Sequence, residues 1–156
     1  MRMRNLTSTL VAGLTLLIAA SHVSAQATNP RFGEWKLRSD APPPSINIMT
    51  YEPYGEGGMR ITVASTNSRG QSSEWGYTTM FDGEFYPVTG QENAQTSVEI
   101  VNDRSTRISN MRDGRVYQVI INTLSEGGNA IDNEYVRLDE NGKIERVTHA
   151  SYDRIR

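Results

Sequence analysis

Cysteine is missing from the whole chain of 156 residues. Its absence excludes disulfide bonds, cysteine nucleophiles, iron–sulfur clusters and zinc sites built on thiolates. The free energy of folding must therefore come from burial of an apolar core. A domain of about 130 residues buries roughly two-thirds of its unfolded surface, which is enough for such a core.

Histidine is nearly as scarce, since the chain contains only His22 and His149. Only His149 lies beyond the N-terminal apolar run, so a metal or haem site with several histidine ligands cannot form within one folded domain. His149 stands in the middle of a predicted strand, and we expect it at the surface or at a rim. The alternative is a general base or a haem ligand inside the fold.

Long apolar runs are confined to one place, residues 10–20, which follow Arg2 and Arg4. A positive start, an apolar run of 11 residues and then small residues form the pattern of a secretory signal peptide. A membrane-spanning helix would need about 20 apolar residues. We therefore expect a cleaved signal peptide at 1–25 and one domain at 26–156, periplasmic or secreted, with no membrane span.

Positive charge is not in excess in the expected mature domain. The 16 Lys and Arg, less Arg2 and Arg4, against 18 Asp and Glu, leave a net charge of −4. A nucleic-acid partner would require a basic stripe. We expect no nucleic-acid partner, no cofactor and a monomeric protein.

A helical period is also missing, because no segment beyond residue 26 repeats apolar residues every 3.6 positions. Instead, short stretches rich in β-branched and aromatic residues alternate with turn residues, which is typical of strands. The pattern predicts eight to ten strands. The stretches are 33–37, 45–54, 59–66, 74–81, 84–88, 97–102, 106–111, 116–124, 130–139 and 143–155.

Three turn signals stand out between these stretches: Asp82-Gly83, Asp113-Gly114 and Asn141-Gly142. A two-residue hairpin of type I′ needs positive φ at both central residues, which Asp, Asn and Gly tolerate. The three pairs therefore predict an antiparallel meander.

Alternation of apolar and polar residues predicts which face of each strand meets the core. Odd positions are apolar in 59–63, and they are apolar again in 117–121. This places Gln118 and Asn122 on the outer face. Eight or more sequential antiparallel strands favour a closed up-and-down β-barrel, because closure removes exposed edges. A two-sheet β-sandwich is the alternative.

The motif Gly33-Glu34-Trp35, on the first predicted strand, resembles the signature of the lipocalins and the wider calycin group. In that family the tryptophan closes one end of the barrel, and a basic residue late in the last strand packs across it. The resemblance implies this role for Trp35 with Arg154 or Arg156, through a cation–π contact.

A broader resemblance covers about 33–90 and includes Thr50-Tyr51-Glu52, Trp75-Gly76-Tyr77-Thr78 and the stretch 81–90. These segments are similar to small secreted bacterial proteins that are described as lipocalin-like and have no assigned activity. The segment after Trp35 is short and rich in proline, unlike the long ligand-covering loop of secreted lipocalins. This departure argues against a deep lipocalin-type cup.

The function that these features favour is binding of a small apolar or aromatic ligand inside the barrel. A filled barrel that serves as a structural or interaction protein of the cell envelope is the alternative. An enzyme that uses His149 with a carboxylate is the third hypothesis, and we expect no enzyme. We expect Asp132 and Glu134 to form a solvated face, and predict no metal site and no catalytic residue. The predicted ligand-binding residues are Met59, Ile61, Val63, Trp75, Tyr77, Phe81, Tyr117 and Tyr135.

Overall fold

A computed structural model of the chain describes residues 29–156, so the predicted signal peptide lies outside the described residues. Ten strands form a single antiparallel sheet, which confirms the predicted all-β class and strand number. The strands are β1 (Gly33–Leu37), β2 (Ile46–Tyr54), β3 (Gly58–Thr66), β4 (Ser72–Thr79), β5 (Tyr86–Pro87), β6 (Ala94–Ile100), β7 (Ser105–Arg112), β8 (Arg115–Leu124), β9 (Ala130–Leu138) and β10 (Ile144–Arg154).

The first and last strands meet, as closure of a barrel requires. The sheet order is β4-β3-β2-β1-β10-β9-β8-β7-β6-β5, so β1 lies between β2 and β10. Trp35 is the register partner of Met49 on one side and of Arg154 on the other. The sheet therefore curls round until its two outer strands, β4 and β5, face each other.

A short seam joins β4 to the segment that follows β5. The amide of Gly76 donates to the carbonyl of Thr89 at 3.1 Å, and the amide of Thr89 donates to the carbonyl of Gly76 at 2.8 Å. This antiparallel bridge closes the barrel wall together with a second one, between Asp82 after β4 and Glu99 on β6. The closed barrel, rather than the sandwich, is thus the architecture of the described residues.

The three predicted hairpin turns differ in outcome. Asp113 and Gly114 have φ of 50° and 77°, the signs of a type I′ turn, and join β7 to β8 as predicted. Asn141-Gly142 lies in a loop, Asp139–Lys143, that is wider than the predicted two-residue turn. In this loop the Asp139 carboxylate accepts hydrogen bonds from two backbone amides. The prediction for Asp82-Gly83 was wrong, because the amide of Gly83 donates to the carbonyl of Val98 on β6 instead.

The prediction for β8 was also wrong about which face meets the core. The register shifts between Asn110 and Met111, so that Tyr117 has no partner of its own on β7. This β-bulge reverses the alternation beyond it. Ile120 and Asn122 are therefore buried, whereas Ile121 is turned towards the outer face with Thr123.

The seam depends on a glycine that the sequence alone did not single out. Gly90 has φ of +83°, and a Cβ placed on it would lie 2.6 Å from the carbonyl oxygen of Glu74 on β4. Gly114 has a similar φ of +77° but nothing within 4 Å of such a Cβ. The two glycines share one backbone requirement and differ in the space around them.

We expect Gly90→Ala to lower the free energy of unfolding at least twice as much as Gly114→Ala. The left-handed backbone alone costs an alanine about 1–2 kcal/mol at either site, and only Gly90→Ala adds a clash with backbone. Urea unfolding midpoints of the two variants measure the difference. Equal losses would show that the seam does not constrain this position.

Candidate functional site

One end of the barrel is closed around Trp35, which is fully buried. Its indole Nε1 donates to the carbonyl of Arg31 at 2.9 Å. The guanidinium carbon of Arg154 lies 4.1 Å from the centre of the indole ring, within cation–π range. Arg156 does not take this place, because its side chain pairs with Glu34 at the surface.

Arg154 also connects three separate segments through its guanidinium group. Its Nη1 donates to the carbonyl of Phe32 at 2.7 Å, its Nη2 to Pro30 at 2.5 Å and its Nε to Gly128 at 2.9 Å. The planar fork of arginine supplies donors in three directions, which a lysine ammonium on its flexible stem cannot reproduce. The N-terminal segment before β1 is therefore held against the loop between β8 and β9.

We expect Arg154→Lys to lower the free energy of unfolding by about 1–3 kcal/mol, because carbonyl oxygens at the closed end lose charged donors. Arg156→Lys provides the matched control, since Arg156 is mostly exposed and surface ion pairs contribute about 0–1 kcal/mol. Thermal and urea unfolding of both variants measure the effect. Similar stabilities of the two variants would contradict this role of Arg154.

A cavity of about 190 Å³ occupies the opposite part of the barrel interior. Its wall includes residues at the start of β2 and β6 and at the turn between β7 and β8, which all lie at the end away from Trp35. Six of the predicted ligand-binding residues line it. They are Ile61, Val63, Trp75, Tyr77, Tyr117 and Tyr135.

Two of the predicted ligand-binding residues do not line this cavity. Met59 points inward as expected, but it stands at the start of β3 and is buried in the core near the closed end. Phe81 follows β4, has φ of 59° and is partly buried against that core. The alternation of apolar and polar residues correctly predicted that Met59 points inward. It carries no information on how far along the barrel axis a residue lies.

Much of the rest of the wall was not predicted from the sequence. Met49 and Tyr51 follow the alternation of β2, and Tyr152 ends the apolar face of β10, so the same signal was available for these three. The polar lining residues gave no such signal. They include Asn47, Gln91, Gln95, Thr96, Asn110, Gln118 and Asn133.

A hydrogen-bonded chain runs from the closed end towards the cavity. Arg31, which is almost fully buried, donates through Nε to Oδ1 of Asn122 at 3.2 Å. Nδ2 of Asn122 donates to Oδ1 of Asn133 at 2.8 Å, and Nδ2 of Asn133 donates to the hydroxyl of Tyr135 at 3.0 Å. The side chains that fill this part of the barrel are therefore polar and satisfied by one another, as buried polar groups need to be.

A second polar group lies on β6, β7 and β8. Thr96 donates to Oδ1 of Asn110 at 2.9 Å, and Nδ2 of Asn110 donates to Oε1 of Gln118 at 3.0 Å. On the other side of the cavity, Oδ1 of Asn47 is buried and has no hydrogen-bond partner.

Aromatic rings line the cavity wall. Trp75 and Tyr77 lie two residues apart on β4 with their ring centres 6.3 Å apart and their planes at 14°. Tyr117, which the bulge turns inward, has the guanidinium carbons of Arg112 and Arg137 at 5.6 and 5.9 Å from its ring centre. These rings provide flat apolar contact surfaces of the kind that aromatic ligands use.

Burial changes the protonation of the groups inside the barrel. It raises the pKa of Tyr51, Tyr77 and Tyr152, since the phenolate form would lose its hydration. Burial lowers the pKa of Arg31, while nearby Tyr51 raises it. Arginine nevertheless stays charged in proteins, so the interior holds one cation and neutral tyrosines at neutral pH.

These raised tyrosine pKa values predict loss of stability at alkaline pH. Above about pH 10 the unfolded chain loses tyrosine protons that the folded protein retains. Stability is therefore full below pH 10 and falls above it, by up to about 1.4 kcal/mol per pH unit for each buried tyrosine. Urea unfolding between pH 9 and 11 checks this, and Tyr77→Phe should make the decline less steep. A stability that stays constant over this interval would contradict it.

The outer face holds the residues that were weighed for catalysis. The side chain of His149 is 70% exposed, and its Nε2 lies 3.2 Å from Oε2 of Glu134 on β9. Asp132 accepts from the hydroxyl of Ser151 at 2.5 Å on the same face. Within residues 29–156, no three His, Asp or Glu side chains gather closely enough to hold a metal ion, and no helix is long and apolar enough to cross a membrane.

Comparison with known proteins identifies the fold. No protein-family model and no curated protein matches the chain. Among solved structures, the wild-type fluorescent protein UnaG superposes with a TM-score of 0.54 at 13% identity, over 79% of this chain and 96% of that one. The two chains share the fold of a closed antiparallel β-barrel.

A single-site variant of UnaG gives a similar result, with a TM-score of 0.56 at 13% identity, over 81% of this chain and 97% of that one. At such identity the likeness concerns the fold alone. The shared barrel fold agrees with the β-barrel that the resemblance of Gly33-Glu34-Trp35 implied. The chemistry of the interior must be inferred from the residues of this chain.

Proposed function

We propose that this protein is an exported barrel that binds a small apolar or aromatic molecule in the cavity away from Trp35. The observation that carries the proposal is the cavity itself, about 190 Å³, whose wall combines aliphatic and aromatic side chains with polar amides and hydroxyls. Such a void leaves wall atoms without packing partners, and an occupant restores those contacts. A filled barrel, the alternative hypothesis, would lack this space.

The size of the cavity limits the ligand. Pockets for drug-sized molecules measure about 300–1,000 Å³, whereas an apolar cavity of about 150 Å³ binds benzene. A cavity of about 190 Å³ therefore suits a molecule with one aromatic ring and a small substituent. Trp75, Tyr77 and Tyr117 supply the flat surfaces against which such a ring would pack.

Binding, rather than catalysis, is the role that the interior groups support. The polar atoms in the cavity wall belong to amides, hydroxyls and tyrosines, and His149 lies on the outer face. Export rests on a separate observation, the positively charged start and the apolar run at 10–20. We therefore propose a periplasmic or secreted binding protein.

The proposal is tested by filling the cavity. Ala94 lines the cavity, so Ala94→Phe would place a ring where the ligand binds. Ala64 follows the inward-facing Val63 on β3 and lines a groove on the outer face. Ala64→Phe therefore adds the same ring outside the barrel. The pair separates loss of the cavity from the general effect of a large side chain.

We expect toluene and indole to raise the Tm of the wild-type protein and of Ala64→Phe, because a ligand that binds only the folded state stabilises it. Ala94→Phe should fold, by circular dichroism, and show no shift with either probe. Calorimetry, with Trp75 fluorescence as a second readout, measures the affinities. Absence of binding to the wild-type protein across one-ring probes would overturn the proposal.

A further inference from the structure

The hydrogen bonds inside the barrel have a direction, and it is set by Arg31. Arginine has donors and no acceptor. Asn122, which receives the Nε donor of Arg31, must therefore turn its amide oxygen towards the closed end and its Nδ2 towards the cavity. The backbone carbonyls of Asn122 and Arg104, which accept from Nη2 of Arg31, fix the guanidinium group in place.

The same donor-to-acceptor direction continues along the hydrogen-bonded chain to the cavity wall. Because Asn122 presents a donor, Asn133 must present its oxygen to it, and this leaves Nδ2 of Asn133 to donate to the hydroxyl oxygen of Tyr135. Each link is fixed by the one before it, since an amide has its acceptor on one side and its donors on the other. The hydroxyl of Tyr135 thus receives a hydrogen bond and retains its own hydrogen.

That hydrogen has no committed acceptor. Tyr152 lies beside Tyr135 and lines the same cavity. A hydrogen bond between the two hydroxyls uses one hydrogen and leaves the other without an acceptor among residues 29–156. Tyr51 accepts from Nδ2 of Asn122 at 3.4 Å and donates to the sulfur of Met49 at 3.7 Å, and a thioether is a weak acceptor.

The positive charge inside the barrel attracts the same kind of ligand atom as the surplus hydrogen-bond donors do, namely one with partial negative charge. Arg31 has no carboxylate partner among the described residues, so its positive charge is balanced only by dipoles. A ligand oxygen placed against the tyrosines would carry a partial negative charge towards it. In a low-dielectric interior this attraction is stronger than in water.

We propose that the ligand of this cavity carries a hydrogen-bond acceptor oxygen, of the carbonyl type, which accepts the hydrogen that the Tyr135 and Tyr152 hydroxyls leave free. This inference rests on the proposed function and specifies its ligand class as a one-ring aromatic carbonyl compound.

The test compares two probes of the same shape, acetophenone and α-methylstyrene. They differ in one position, where the first has a carbonyl oxygen and the second a CH₂ group. A net hydrogen bond contributes about 0.5–1.5 kcal/mol, so we expect the wild-type protein to bind acetophenone about 3- to 10-fold more tightly. Isothermal calorimetry on the wild-type protein measures both affinities.

Two variants test whether the direction of the chain is responsible. Asn133→Asp still accepts from Asn122 and places an oxygen where Nδ2 stood, so that it takes the hydrogen of Tyr135. Asn122→Asp keeps all tyrosines but supplies acceptors to both Arg31 and Asn133, so that Asn133 turns round and takes the hydrogen of Tyr135. Both variants should bring the acetophenone preference below about 2-fold, with α-methylstyrene affinity unchanged. Tyr54→Phe, a change at an exposed tyrosine outside the cavity, is the control and should keep the preference.

The outcomes separate this inference from the proposed function. Equal affinity of the wild-type protein for the two probes would overturn the acceptor assignment and leave a binding protein. The same follows if the preference survives in both variants, or in the one that folds by circular dichroism. Failure of the wild-type protein to bind either probe would overturn the proposed function as well.

Discussion

The contact between Trp35 and Arg154 is the interaction on which the barrel depends. It joins the first strand to the last, because the two residues are register partners on β1 and β10. The same guanidinium group holds the segment before β1 and the loop after β8. A chain without cysteine gains in this way a fixed closed end, from which the sheet extends to the cavity.

Polar residues in the interior give this barrel its particular character. A purely apolar filling would close the space, whereas Asn122 and Asn133 satisfy each other and Arg31 while they leave a void beside the tyrosines. Breaking a buried hydrogen-bonded chain of this kind costs free energy, whereas a complete chain specifies a unique packing of the interior. The polarity of the cavity wall therefore derives from two sets of hydrogen bonds, the one that starts at Arg31 and the one that joins Thr96, Asn110 and Gln118.

Local patterns in the sequence predicted the local structure well. Alternation and turn residues were sufficient for ten strands and for the turn at Asp113-Gly114, because both depend on neighbouring residues. The inward position of Asn122 could not be predicted, since a one-residue bulge at Tyr117 reverses the faces of β8. The hydrogen bond between Arg31 and Asn122 could not be predicted either, because the two residues are 91 positions apart in the sequence. Depth along the barrel, which separates Met59 from the cavity, also depends on the register of the whole sheet.

The seam between Gly76 and Thr89 has a consequence for motion. Two backbone hydrogen bonds hold the wall there, whereas β3 and β4 are paired over eight residues and β9 and β10 over nine. Local opening of a protein occurs where the fewest interactions must break. Trp75 and Val88, on either side of the seam, both line the cavity, so opening of the seam would connect the cavity with solvent and give the proposed ligand a route in and out.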